Sequence, residues 1–283
     1  MVVGTWYASG IDPDIYIDIS EEDDPVKPAI TLEIYNGSDA DLYIKLVPEG
    51  PETWTFTPKE LGLVPAGEKK TFYIEDWGQR PLPGEELTEL ITLKLEAYLD
   101  SGYSEYVGAV TKDLYVHFID MSGYNVIDDD DFTEDTEGWS GGVLSSTHYV
   151  TPPNSLLKSD TLWDATTYSA CSTDAATPLV NKTFTIPDVP KAFLSLYARV
   201  EHDELPANAE LTKAVVQVYV NDTLVAEVPA LDRWVKIVTP IPTNMDVTVK
   251  VKGWLIVHFT ASTSPSVSGQ GRLYVDHVRV RYP

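Results

Sequence analysis

Twelve residues from Asp128 to Trp139, Asp-Asp-Asp-Asp-Phe-Thr-Glu-Asp-Thr-Glu-Gly-Trp, hold the densest run of carboxylates in this 283-residue chain. Oxygen ligands at that density suit a hard cation, because Ca²⁺ takes six to eight of them at about 2.3–2.6 Å. The same text can equally be a solvated linker whose like charges repel, or the two in succession. A second chemistry would use aromatic faces against sugar C–H groups. Tyr149, Trp163 and Tyr168 fall in the irregular segment 145–180, where ligand loops usually sit, and an exposed pair there would form a platform. Trp139, Trp234 and Trp254 lie on or beside strand text and read as core.

Catalytic signatures are few. The chain has no His-Glu-x-x-His and no phosphate-cradling glycine loop. His202-Asp203-Glu204 precedes Pro206 and reads as a surface loop without a positioned partner. Paired carboxylates for glycoside cleavage are identified by geometry alone, so no enzyme activity is expected from the text.

The elements that must position these residues are strands. Helical periodicity is nearly absent, whereas Ile15–Ile19, Ala29–Tyr35 and Asp41–Val47 alternate apolar and polar side chains as half-buried strands do. Asn36-Gly37, between the last two, predicts a hairpin. Further strands are expected at 53–57, 69–74, 90–98 and 114–119, separated by Pro/Gly turns. Trp54, Phe56, Phe72, Tyr73 and Trp77 are read as packing residues. About seven short strands in about 120 residues is the count of a two-sheet sandwich. Beyond the acidic stretch, Lys182–Ile186 and Ala192–Val200 alternate, and Val215–Val228 reads as a hairpin closed at Asn221-Asp222. Strands at 155–158, 234–238, 247–252, 254–260 and 272–281 bring the second half to about nine. The expected architecture is all-β: two tandem β-sandwiches over residues 1–122 and 130–283, joined by an acidic linker at 123–129.

Composition narrows the function classes. A net charge of −24 opposes nucleic-acid binding, which needs Lys and Arg against phosphate. No apolar run approaches the ~20 residues of a membrane span, and the first residues lack the basic start and apolar core of a secretory signal. The single cysteine, Cys171, excludes an internal disulfide framework. Few Asn, Gln, Met and Cys residues point to a hot environment.

Residues 127–139, with Pro153-Asn-Ser-Leu-Leu-Lys158, Lys182-Thr-Phe-Thr-Ile-Pro187 and Leu273-Tyr-Val-Asp-His-Val-Arg-Val280, resemble jelly-roll carbohydrate-binding modules and galactose-binding-like domains. His277 departs from that pattern, standing where a second Asp is common. The resemblance implies a structural calcium ion joining the acidic start to the closing strand, with Asp131, Glu134 and Asp276 as its ligands; otherwise Asp276 caps or pairs with Arg279. The first half, with its Asn-Gly turn, aromatic-rich strand and Pro-x-Gly-Glu turn, resembles immunoglobulin-like accessory domains, which implies a spacer or assembly module.

Two functions follow as expectations. One is a non-catalytic structural or adhesion protein exposed on a virion or cell surface, with other structural subunits as partners, a homo-oligomeric state and a glycan as possible ligand. The other is a carbohydrate-binding fragment of a secreted glycoside-degrading enzyme. The first fits modules of extracellular style that carry no signal peptide.

Overall fold

A computed structural model of the chain describes residues 6–9, 14–20, 25–164, 172–260 and 268–283. All regular elements among them are strands, in two compact units, Met1–Ser122 and Gly123–Pro283. Tyr168, Cys171 and the acidic run 21–24 lie outside the described residues.

In the first unit, β1 (Trp6–Ser9), β3 (Ile30–Asn36) and β7 (Lys69–Ile74) form one sheet. β2 (Asp14–Asp18), β10 (Tyr106–Ile119), β9 (Leu87–Tyr98), β4 (Leu42–Glu49) and β6 (Lys59–Val64) form the other, in that order, with β2 parallel to β10. The short strands β5 (Thr55–Phe56) and β8 (Gly78–Gln79) pair separately. The alternation read from the sequence is the burial pattern observed: Leu42, Ile44 and Leu46 are sealed while Tyr43 and Lys45 are not. Both sheets feed one core in which Leu32 and Ile34 meet Leu93, Leu95, Trp54 and Trp77. That core is why the aromatic residues here are packing residues.

Asn36-Gly37 does not close a hairpin. β3 and β4 belong to different sheets, so the chain crosses from one layer to the other at this point. The fully buried Asn36 side chain makes the corner: Nδ2 donates to Ala40 O (2.8 Å) and Val64 O (2.9 Å), and Oδ1 accepts from Ser38 N and Oγ. An Asn chosen for backbone satisfaction and one chosen for positive φ look alike in sequence. Asn221-Asp222, by contrast, has φ of 48° and 66° and does join two paired strands.

The second unit is also two sheets on one core. β12 (Val143–Ser145), β13 (Ser155–Trp163), β21 (Gly269–Tyr282), β16 (Ala192–His202) and β19 (Val235–Ile241) form the first, with β11 (Asn125–Asp130) beside β13 along the same edge of β21. β20 (Met245–Phe259), β17 (Ala209–Val220) and β18 (Thr223–Pro229) form the second, with β14 (Ser172–Ala176) and β15 (Leu179–Ile186) end to end along β20. The two strands expected on either side of Gly253 are one. Gly253 continues the ladder because a Cβ there would lie 3.0 Å from Val200 Cγ1 and 3.1 Å from Pro178 Cγ.

The acidic linker is a second correction. Asp128, Asp129 and Asp130 are strand residues, opposite Val280, Arg279 and Val278. Arg279 Nε donates to Asp129 Oδ1 at 2.9 Å. Neutralisation by basic neighbours lets three consecutive aspartates enter a sheet.

Candidate functional site

The acidic stretch is organised by a side chain the sequence did not single out. Lys182, on β15, places Nζ 2.7 and 2.8 Å from the two oxygens of Asp130 and 3.1 Å from Asp128 Oδ1. Trp139 Nε1 donates to Asp130 Oδ2 at 2.9 Å. The Ser140–Asn181 backbone bridge brings this loop to β15. Phe132 and Glu137 have φ of 54° and 48°, and Gly138 follows at 82°; together they turn Glu137 back toward Asp130. Burial pushes the Asp130 carboxyl up to about 7, against the opposing pull of Lys182. Burial also raises Glu137. Glu137 Oε2 is shut off from water, and no donor reaches it among the described residues.

The expected calcium ligands are not brought together. Asp131 Oδ1 accepts from Thr133 N (3.2 Å), in a local turn, and Glu134 is exposed. Asp276 is fully buried: Oδ2 accepts from Val150 N (2.6 Å) and Thr151 N (2.8 Å), and Oδ1 from His277 N (2.7 Å). Among the described residues no group of three or more His, Cys, Asp or Glu is placed to hold a metal ion. Oxygens of Asp131 and Asp276 accept backbone N–H groups, and Arg279 Nε donates to Asp129.

The expected sugar platform also changes. Trp163 is a core residue, 2% exposed, because the β13 register shifts between Thr161 and Trp163 and turns the indole inward beside Leu162. A Cβ at Gly269 would lie 1.9 Å from Trp163 Cζ2, so glycine there makes room for the ring. Tyr149 is 44% exposed, in the segment that Asp276 clips to the sheet. Tyr168 lies outside the described residues.

The outer face of this sheet carries a cluster that sequence reasoning missed. In the β16–β21 register Arg199 faces Tyr274 and Glu201 faces Arg272. Glu201 is the hub. Its Oε1 accepts from the Tyr274 hydroxyl at 2.7 Å, and its Oε2 lies 3.0 Å from His148 Nε2. Arg199 Nη2 and Arg272 Nη1 approach it at 3.5 and 3.7 Å. Burial and the Glu201 carboxylate together raise the Tyr274 phenol far above its ordinary value. Asp203 pairs with Arg272, and Asp232 O accepts from Arg199 Nη1 at 2.6 Å. The half-buried Trp234 meets Tyr274 edge to face, and His148 does the same. The legible signal was there: Tyr197, Arg199 and Glu201, and Arg272, Tyr274 and Asp276, recur at every second residue of two strands. Such spacing puts each trio on one face.

No protein-family model and no curated protein matches the chain. Among solved structures it is similar to tripeptidyl peptidase 2, with 10% identity over 99% of this chain and 20% of that one, at a TM-score of 0.23. It is similar to a calcium-binding mutant of Bacteroides uniformis beta-glucuronidase 2, with 11% identity over 97% of this chain and 30% of that one, at 0.24. A structure of infectious bursal disease virus Gx strain gives 10% identity over 85% of this chain and 57% of that one, at 0.14. The chain spans less than a third of the two enzyme chains, and scores this low carry no argument about function. Fold and site define an all-β protein of two β-sandwich units with a charged and aromatic sheet face.

Proposed function

We propose that the protein is a non-catalytic structural or adhesion protein exposed on a virion or cell surface, and that its second unit, a jelly-roll carbohydrate-binding-like domain, binds a glycan. The first unit is then an immunoglobulin-like spacer. One observation carries the reading: Arg199, Glu201, Arg272 and His148 stand fixed on one sheet face, over the buried Tyr274 and beside the half-buried Trp234. Sugars are recognised by preorganised planar polar groups next to aromatic surface. Neither guanidinium meets Glu201 within normal hydrogen-bond distance, which leaves donors for sugar hydroxyls or for bridging waters.

The test is glycan-array binding of the full chain, followed by titration of the best glycan with Arg199→Ala and Glu201→Gln. Loss of about tenfold or more in affinity in both variants, about 1.4 kcal/mol each, is expected with the fold retained by circular dichroism. Binding that neither substitution alters, or no retention of any glycan, overturns the assignment.

A further inference from the structure

Lys182 and Asp130 belong to opposite sheets of the second unit, Asp130 through the β11–β21 pair and Lys182 through the β15–β20 pair. Their contact is shielded. The Asp130 side chain is 4% exposed and that of Lys182 12%. Phe132, Trp139 and Phe184 belong to the adjoining core, and Lys182 Nζ sits 5.0 Å from the Phe184 ring centroid. A surface ion pair has no need of such enclosure, and a buried one incurs a desolvation cost that its attraction only partly offsets. An amine held against a shielded carboxyl, with a second carboxyl alongside, is also an arrangement for covalent chemistry.

We propose that Lys182 and Asp130 become joined by an intramolecular amide bond, with Glu137 as the proton acceptor and Trp139 Nε1–H as the donor to the developing oxyanion. The lysine ammonium gives one proton to the Asp130 carboxyl it touches, which passes one on to the Glu137 carboxylate beside it. The Asp130 carboxyl turns about Cβ–Cγ so that Nζ meets its carbonyl face, and the Nζ–Cγ bond forms. The tetrahedral carbon then loses its hydroxyl, which leaves as water with a proton from the nitrogen. Ammonium, carboxylate and carboxylic acid thus become amide, water and a protonated Glu137; charge and hydrogen count balance and nothing is oxidised or reduced. In water the reaction is opposed because amine and acid both ionise. Exclusion of water beside the core removes much of that penalty. The product replaces a buried ion pair by a neutral amide. Trp139 Nε1 already donates to Asp130 Oδ2, the oxygen on which negative charge would develop.

Denaturing intact-mass measurement of the full chain tests this. The expected mass is lower than that of the sequence by one water. Trypsin should fail to cut after Lys182, leaving peptide 159–191 attached to peptide 113–158, with fragmentation placing the branch at Asp130. Lys182→Arg and Asp130→Ala should restore the full mass. Glu137→Gln leaves Lys182 and Asp130 in place and should also restore it, with a native circular dichroism spectrum. A folded wild-type chain at full sequence mass, cut after Lys182, overturns the bond. A branch at Asp128 overturns the choice of Asp130, and wild-type bond formation in Glu137→Gln overturns the role of Glu137.

Discussion

The Tyr274 hydroxyl donates to Glu201 Oε1 at 2.7 Å from a ring only 2% exposed, so the hub carboxylate is held from beneath by a phenol that resists ionisation. Tyr274→Phe should cost about 2 kcal/mol, the range for a hydrogen bond to a charged group. The pH sign follows from the raised phenol. Above pH ~10 an unfolded tyrosine releases its proton while folded Tyr274 retains it, so the folded state binds more protons and stability falls as pH rises. Urea midpoints measured between pH 9 and pH 11 should decline more shallowly in Tyr274→Phe than in the wild type.

Asp276 accepts three backbone N–H groups, two of them from the segment that carries His148 and Tyr149. Asp276→Ala leaves those donors without their acceptor, at about 1–3 kcal/mol for each that stays buried, and a total loss of about 3 kcal/mol or more is expected. Hydrogen exchange at Val150 and Thr151 should accelerate most. Unchanged exchange at both would show that the carboxylate does not clip this segment.

Arg80 and Glu89 pair at 2.6 Å in the first unit, with side chains 7% and 12% exposed. Trp54 Nε1 also donates to Glu89 Oε2, and the guanidinium lies 4.7 Å from the Phe118 ring centroid. Glu89→Ala strands a buried cation and should cost about 3–5 kcal/mol, measured by denaturant unfolding. The exposed pair Lys250–Asp222 should give less than about 1 kcal/mol in the same experiment.

Gly269→Ala drives a methyl group into the Trp163 indole. Overpacking of this kind costs about 1–3 kcal/mol or more, and Trp163→Ala about 3–5 kcal/mol through the cavity it leaves. Glycan affinity of the folded fraction of Trp163→Ala should stay at the wild-type value, because the ring faces the core and not the ligand face.

Strands were legible because alternation is a local consequence of burying one face, as β4 and β16 show. Layer crossing at Asn36 was not, since the partners of β4 are β9 and β6, and no local signal says which edge the chain will join. Trp163 was misread because a bulge inverts the count of faces along β13. Trp234 was read as core and is half-buried, and the Glu201 cluster was passed over because mixed charge on alternating positions reads as ordinary solvated surface until the register between β16 and β21 is known. Lys182 looked like one residue of a strand; only the pairing of β11 with β21 and of β15 with β20 brings it to the acidic run.

The first and last strands of the second unit run antiparallel side by side, with Asn125 opposite Tyr282. The chain therefore enters and leaves this sandwich at one place. A unit with such adjacent ends can be grafted whole into a loop of a carrier or circularly permuted without redrawing its sheets. Tension applied through both ends would peel β11 from β21 one hydrogen bond at a time instead of shearing the whole ladder at once.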